Sequence, residues 1–163
     1  MQARVVLQHG LTFTGSAESG HSVTMSVSRA SGGDDDGPSP LELCLISMGG
    51  CTAIDVVAIL RKKRQAVTGL EVRLATERAA EPPRVFTHFY LTFVVRGRGV
   101  DPGAVERAIE LSQTKYCSVS AMLGLSGPID CRYEIIEDEG GEAGDGRDPA
   151  GGASPRQGDI TLP

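Results

Sequence analysis

One segment constrains this chain more than any other: residues 39–65, SPLELCLISMGGCTAIDVVAILRKKRQ. Ser39 fits a helix N-cap, Pro40 the first helical position and Glu42 the third, which together make a capping box. The apolar pattern runs on to Leu60. RKKRQ (61–65) then supplies positive charge where a helix C-terminus favours it, and Gly69 is the expected stop. Such a helix has about 25 residues and is ~37 Å long. It is apolar on nearly every side between Leu41 and Leu60, so it should be buried all round. A chain of 163 residues cannot easily enclose it alone, and a second copy of the chain is expected to help cover it. Gly49 and Gly50 sit in the middle, each costing roughly 1 kcal/mol against alanine. They should be offset by a close approach of backbone or small molecule, or by chemistry at the neighbouring Cys51.

The rest of the chain reads as strands around that helix. Residues 3–8, 11–14 and 21–27 form an N-terminal antiparallel meander, followed by an acidic, glycine-rich loop (29–39) whose three aspartates read as solvated. Strands at 70–77 and 85–97 follow, joined by the turn EPPR. Asp101 and Pro102 open a second helix with an apolar face at Val105, Ala108 and Ile109, and a short helix follows Cys117. The last strand is 129–137. The order strands, long helix, strands, helix, strand predicts an α+β fold with an antiparallel sheet, and a single domain over 1–137. From residue 138 onward the chain is glycine-rich and polar and is expected to be a disordered tail, 138–163. No phosphate-binding loop or nucleophile-elbow motif occurs.

A net charge of −5 without a dense basic patch argues against nucleic acid or an anionic membrane as partner. The N-terminus lacks a secretory signal, and no stretch is read as a membrane span, so a cytoplasmic location is the expectation. Four cysteines in that setting point to reduced, reactive or buried thiols. Their spacing contains no C-x-x-C, and the three histidines are scattered, so neither a metal nor another cofactor is expected.

Cys51 shares a helix stripe with Cys44, Ser47, Asp55, Ala58 and Lys62. Asp55, one turn away, opposes thiolate formation, so a reactive Cys51 requires a cation from another segment or subunit. Cys117 follows Lys115 and precedes a helix start, a setting that favours thiolate. For both cysteines a buried, inert thiol is the competing reading. Cys44 and Cys131 read as core. Glu42 is out of phase with Cys51 and reads first as a capping residue. His21 reads as an exposed polar strand residue.

SPLELCLISMGGCTAIDVVAILRKKRQ and KYCSVSAML resemble the two cysteine motifs of the OsmC/Ohr family, the osmotically inducible and organic hydroperoxide resistance proteins. GSAESGHSVTMSV and FYLTFVVRG resemble other characteristic stretches of that family. The resemblance covers about residues 10–137 and is nearest a less characterised OsmC-like subgroup. It implies an intertwined homodimer, with antiparallel sheets around two long central helices. It also implies a stress-response thiol peroxidase of peroxiredoxin-like activity, in which Cys51 attacks an organic hydroperoxide and Cys117 resolves the sulfenic acid to a disulfide. A dithiol, such as a lipoyl group on a protein, would reduce that disulfide. Glu42 and His21 are the possible accessory residues. Two features depart from the active family members. TGSAESGH (14–21) lacks their arginine, and Leu41 stands where they carry a glutamate. Arg4, Arg29 and Arg96 are candidates to replace the arginine. The alternative, from another class, is a dimer that binds an apolar or thiol-containing small molecule without turnover.

Overall fold

The computed structural model describes residues 1–138 and 155–162. Strands β1 (Ala3–His9), β2 (Thr12–Ala17) and β3 (Ser22–Met25) precede helix α1 (Pro40–Lys62). Then come β4 (Ala66–Arg78), β5 (Phe86–Arg98), α2 (Pro102–Leu111), α3 (Ser118–Leu123), β6 (Ile129–Glu137) and β7 (Arg156–Ile160). The chain divides into two compact units, Met1–Ser47 and Met48–Pro163, with α1 running through the boundary. The fold is α+β, as expected.

In the first unit β1, β2 and β3 form an antiparallel sheet. The start of α1 carries the predicted capping box. Ser39 N–H donates to Glu42 Oε2 at 2.7 Å, and Glu42 N–H donates to Ser39 Oγ at 3.3 Å. The aspartate loop is less free than expected: His9 reaches Asp34 at 3.3 Å and Asp36 at 3.4 Å, and Thr12 Oγ1 donates to Asp36.

In the second unit the sheet order is β4-β5-β6-β7. The purely antiparallel expectation is corrected here. β5 and β6 run parallel, while β4–β5 and β6–β7 are antiparallel. A parallel pair needs a long crossover, and α2 and α3 supply it. Asp101 caps α2 through Gly103 and Ala104 N–H groups. Its Val105, Ala108 and Ile109 are buried, as the spacing predicts. Phe89, Phe93, Val94 and Val95 of β5 are fully buried and make the centre of the core.

Three further expectations change. The helix ends at Lys62, well before Gly69, which lies inside β4. Gln65 N–H bonds the Leu60 carbonyl and Arg64 N–H bonds the Arg61 carbonyl. Arg64 takes the left-handed conformation, φ 56°, that usually marks a glycine. The tail expectation is corrected at Arg156–Ile160, which forms β7 on the edge of β6; residues 139–154 lie outside the described part. Ion pairs Arg132–Asp159 (2.9 Å) and Arg156–Glu137 (3.2 Å) flank that strand. At Gly158 a Cβ would stand 2.6 Å from the Tyr133 ring, so any larger residue there would force the ring or the strand to shift. Strand pairing of this kind depends on backbone and on a distant partner, which the polar composition of RQGDI does not reveal.

Within this one chain α1 buries a single stripe, and the all-round burial expected of it included a second copy. Met48, Gly49, Thr52, Val56 and Leu60 are buried, while Ile54 is 72% exposed and Ile46 59%. By length and composition α1 could also cross a membrane, with a mean hydropathy of 2.1 in its most apolar window, of which 28% is buried; no stretch was expected to reach that level. Its exposed side borders a groove of about 490 Å³ lined by Ile54, Val57, Ala58, Arg61 and Val67–Leu70.

Candidate active site

α1 and the segment before α3 converge on one point. Cys51 lies half-buried on α1, and Cys117 is 2% exposed at the start of α3. Their sulfurs and a carboxylate oxygen of Asp55 all lie within 4.8 Å of one another. Residues 66 positions apart in the chain are thus brought side by side.

A single π turn, Ser112–Tyr116, produces this convergence. It follows α2 directly and is closed by the Cys117 N–H to the Ser112 carbonyl at 2.8 Å. The wider turn directs Ser112 and Gln113 at α1, a use to which π turns are often put. Ser112 Oγ donates to Asp55 Oδ2 at 3.1 Å. That bond uses Ser112's only proton, so the 2.9 Å contact between Thr52 and Ser112 is donated by Thr52. Thr52 in turn accepts from Gln113 Nε2 at 2.7 Å. The chain Gln113, Thr52, Ser112, Asp55 therefore has one direction, and Thr52 and Ser112 are fully buried. The Gln113 Oε1 atom is buried without a partner among the described residues.

The two thiols differ in environment. Burial pushes the Cys117 thiol above its ordinary range. The hydrogen bond to Cys51 acts in the same direction, and donation from Ser120 N–H (3.3 Å) and Oγ (3.1 Å) only partly offsets it. The expectation that Cys117 sits where thiolate is favoured is thereby corrected. It does cap a helix, but burial outweighs the cap. Lys115 is exposed, with its ammonium 5.6 Å from the Tyr116 ring centre. Cys131 is buried in β6, as expected, and its thiol is pushed up to about 12. Cys44 is only half-buried.

Of the remaining candidates, Glu42 is committed to its cap, and the bonds to Ser39 hold its carboxyl below the usual range. His21 is exposed, with Nδ1 3.3 Å from Ser19 Oγ. The two glycines also part company. At Gly49 a Cβ would meet Leu74 Cδ1 at 2.8 Å, so this glycine admits close packing of α1 on β4, whereas nothing lies within 4 Å of a Cβ at Gly50. Sequence reading did not find Thr52, Ser112 or Gln113. Only the adjacency of Thr52 to Cys51 could have pointed to the first, and no local pattern announces the π turn that delivers the other two.

Comparison with known proteins agrees with this architecture. The family model described as "OsmC-like protein" matches residues 33–132. Protein YhfA of Escherichia coli strain K12 is 48% identical over 136 residues, which is 83% of this chain and 98% of YhfA. A hypothetical protein from Aquifex aeolicus VF5 is 30% identical, with a TM-score of 0.75 over 85% of this chain and 97% of its own. An organic hydroperoxide resistance protein from Elizabethkingia anophelis shares the fold at 13% identity. Its TM-score is 0.59, over 83% and 94% of the two chains.

Proposed function

We propose that this chain, which belongs to the OsmC-like protein family, is a homodimeric, cytoplasmic, cysteine-based peroxidase that reduces organic hydroperoxides. The observation that carries the proposal is the pairing of Cys51 and Cys117 sulfurs within 4.8 Å. Burial keeps the proton on Cys117, so the half-exposed Cys51 is the nucleophile. Its thiolate attacks the distal oxygen of ROOH, the O–O bond breaks, and RO⁻ leaves and takes a proton to become ROH. Cys51 is then a sulfenic acid. The Cys117 sulfur attacks it, an S–S bond forms, and the sulfenic oxygen leaves as water with the Cys117 proton. A dithiol of the lipoyl type then returns both thiols and becomes a disulfide itself. Three structural neighbours of the chain are named for organic hydroperoxide resistance, and those names support the same substrate class.

The exposed apolar side of α1 is the natural seat of a second copy. Ile54 at 72% exposure and the adjoining groove would otherwise face water. A dimer also offers arginines from the partner to the thiolate. Turnover of cumene hydroperoxide with a dithiol reductant tests the reading. Wild type should turn over, Cys51→Ser should be inactive, and Cys117→Ser should react once and stop. Wild-type turnover equal to that of Cys51→Ser would reject it.

A further inference from the structure

Cys51, Cys117 and Asp55 present three donor atoms that are anionic when deprotonated, all within 4.8 Å of each other. Among the described residues no lysine, arginine or histidine lies within ion-pair distance of Asp55. Once the thiols give up their protons, these three donors can share one cation, which would also carry the charge of Asp55. We infer that the reduced cysteine pair and Asp55 bind a Zn²⁺ ion in a Cys₂Asp site with an open fourth position.

The geometry suits that ion. Tetrahedral Zn²⁺ takes Zn–S bonds of about 2.3 Å and Zn–O bonds of about 2.0–2.2 Å, so its ligand atoms lie roughly 3.5–3.8 Å apart. The three donors already stand within 4.8 Å, and a small contraction closes the set. Two thiolates and a carboxylate select a borderline-soft cation over Mg²⁺ or Ca²⁺, which prefer all-oxygen sites. The surrounding bonds are those of a supported metal site. Ser112 donates to Asp55 Oδ2, and among the described residues Oδ1 accepts no hydrogen bond. Ser120 directs its N–H and its hydroxyl at the Cys117 sulfur, where they would stabilise a bound thiolate. Half-buried Cys51 supplies the entry path. Binding would release the thiol protons, and a disulfide between the two sulfurs would remove two of the three ligands. Such a site depends on the fold and not on local spacing, which explains why no metal-ligand pattern is visible in the sequence. The inference holds whether or not the pair turns over peroxide. Under the proposed function, bound Zn²⁺ would shield the nucleophile until it is removed.

The test uses the full chain, reduced and freed of metal with a chelator, titrated with Co²⁺ as a coloured probe and then with Zn²⁺. One Co²⁺ per chain should bind, with intense thiolate-to-metal charge transfer and the visible bands of a tetrahedral centre, and Zn²⁺ should displace it. Cys51→Ser and Cys117→Ser should each weaken binding by more than about 100-fold, and Asp55→Asn by roughly 10–100-fold. The disulfide form should give no bands. In unmutated protein, Zn²⁺ should slow alkylation of Cys51, a readout that needs no variant to fold. Bands that survive in Cys51→Ser and Cys117→Ser would indicate an adventitious ion only, and so would alkylation indifferent to Zn²⁺; either result overturns the site. Peroxide turnover of the same metal-free preparation is measured separately. Turnover without Co²⁺ binding rejects the metal site alone, and Co²⁺ binding without turnover rejects the peroxidase alone.

Discussion

Replacing Ser112 with alanine removes the central link of the buried hydrogen-bond chain. Ser112 and Thr52 are both 0% exposed. Without Ser112 Oγ the Thr52 hydroxyl proton loses its acceptor, and an unpaired buried donor costs about 1–3 kcal/mol. Asp55 loses its 3.1 Å donor. Because Asp55 is only half-buried, water replaces part of that bond, and about 1 kcal/mol is a fair charge for the remainder. The total, about 2–4 kcal/mol, corresponds to a melting temperature lowered by roughly 5–12 °C in a chain of this size. The assay is thermal unfolding by circular dichroism at one fixed protein concentration, since association would shift the midpoint. The double variant Thr52→Val/Ser112→Ala is the sharper test. It deletes the hydroxyl that the single change orphans, so it should cost at least about 1 kcal/mol less than the sum of its parts. A shift below about 1 °C for Ser112→Ala, or strict additivity in the double variant, would refute the directed chain derived above.

Gly50→Ala should stabilise the isolated subunit by about 1 kcal/mol, because a helical glycine is replaced where nothing lies within 4 Å, whereas Gly49→Ala should lose that gain by pressing on Leu74; equal melting temperatures would contradict the packing at Gly49. If α1 packs against a second copy, Gly50→Ala should also weaken association, read by analytical ultracentrifugation. Cys131, pushed up to about 12, stays protonated in the fold while the unfolded chain ionises near 9. Its contribution is therefore intact below pH 9 and lost as pH rises toward 12, at up to about 1.4 kcal/mol per pH unit. Denaturant unfolding between pH 8 and 10 should show that slope, and Cys131→Ala should flatten it. Ser39→Ala should cost about 1 kcal/mol through the lost cap, and a neutral result would mean that the capping box adds nothing.

The legible parts of this molecule were those written in local chemistry. Ser39, Pro40 and Glu42 announce α1, and Asp101 with Pro102 announces α2, because caps act within four residues. The span of β6 could be read from its alternation. The end of α1 could not, since Arg64 adopts a conformation that sequence reading assigns to glycine. The parallel pairing of β5 with β6, and the pairing of β7, depend on partners far away in the chain. The cysteine pair was legible through family motifs, but its electrostatics was not. The helix start that favours a Cys117 thiolate is outweighed by burial, and burial is a property of the whole fold. Ser112 and Gln113 stayed hidden because a π turn, unmarked in sequence, brings them to α1.

The central claim is that Cys51 and Cys117 act as one redox pair, and a single measurement addresses it most directly. Fully reduced protein is given one equivalent of cumene hydroperoxide per pair, the remaining thiols are alkylated, and the peptides are mapped by mass spectrometry. The account predicts a Cys51–Cys117 disulfide with Cys44 and Cys131 still alkylated as free thiols. Cys51 recovered as sulfinic acid beside an unreacted Cys117, or all four thiols left intact, would contradict it.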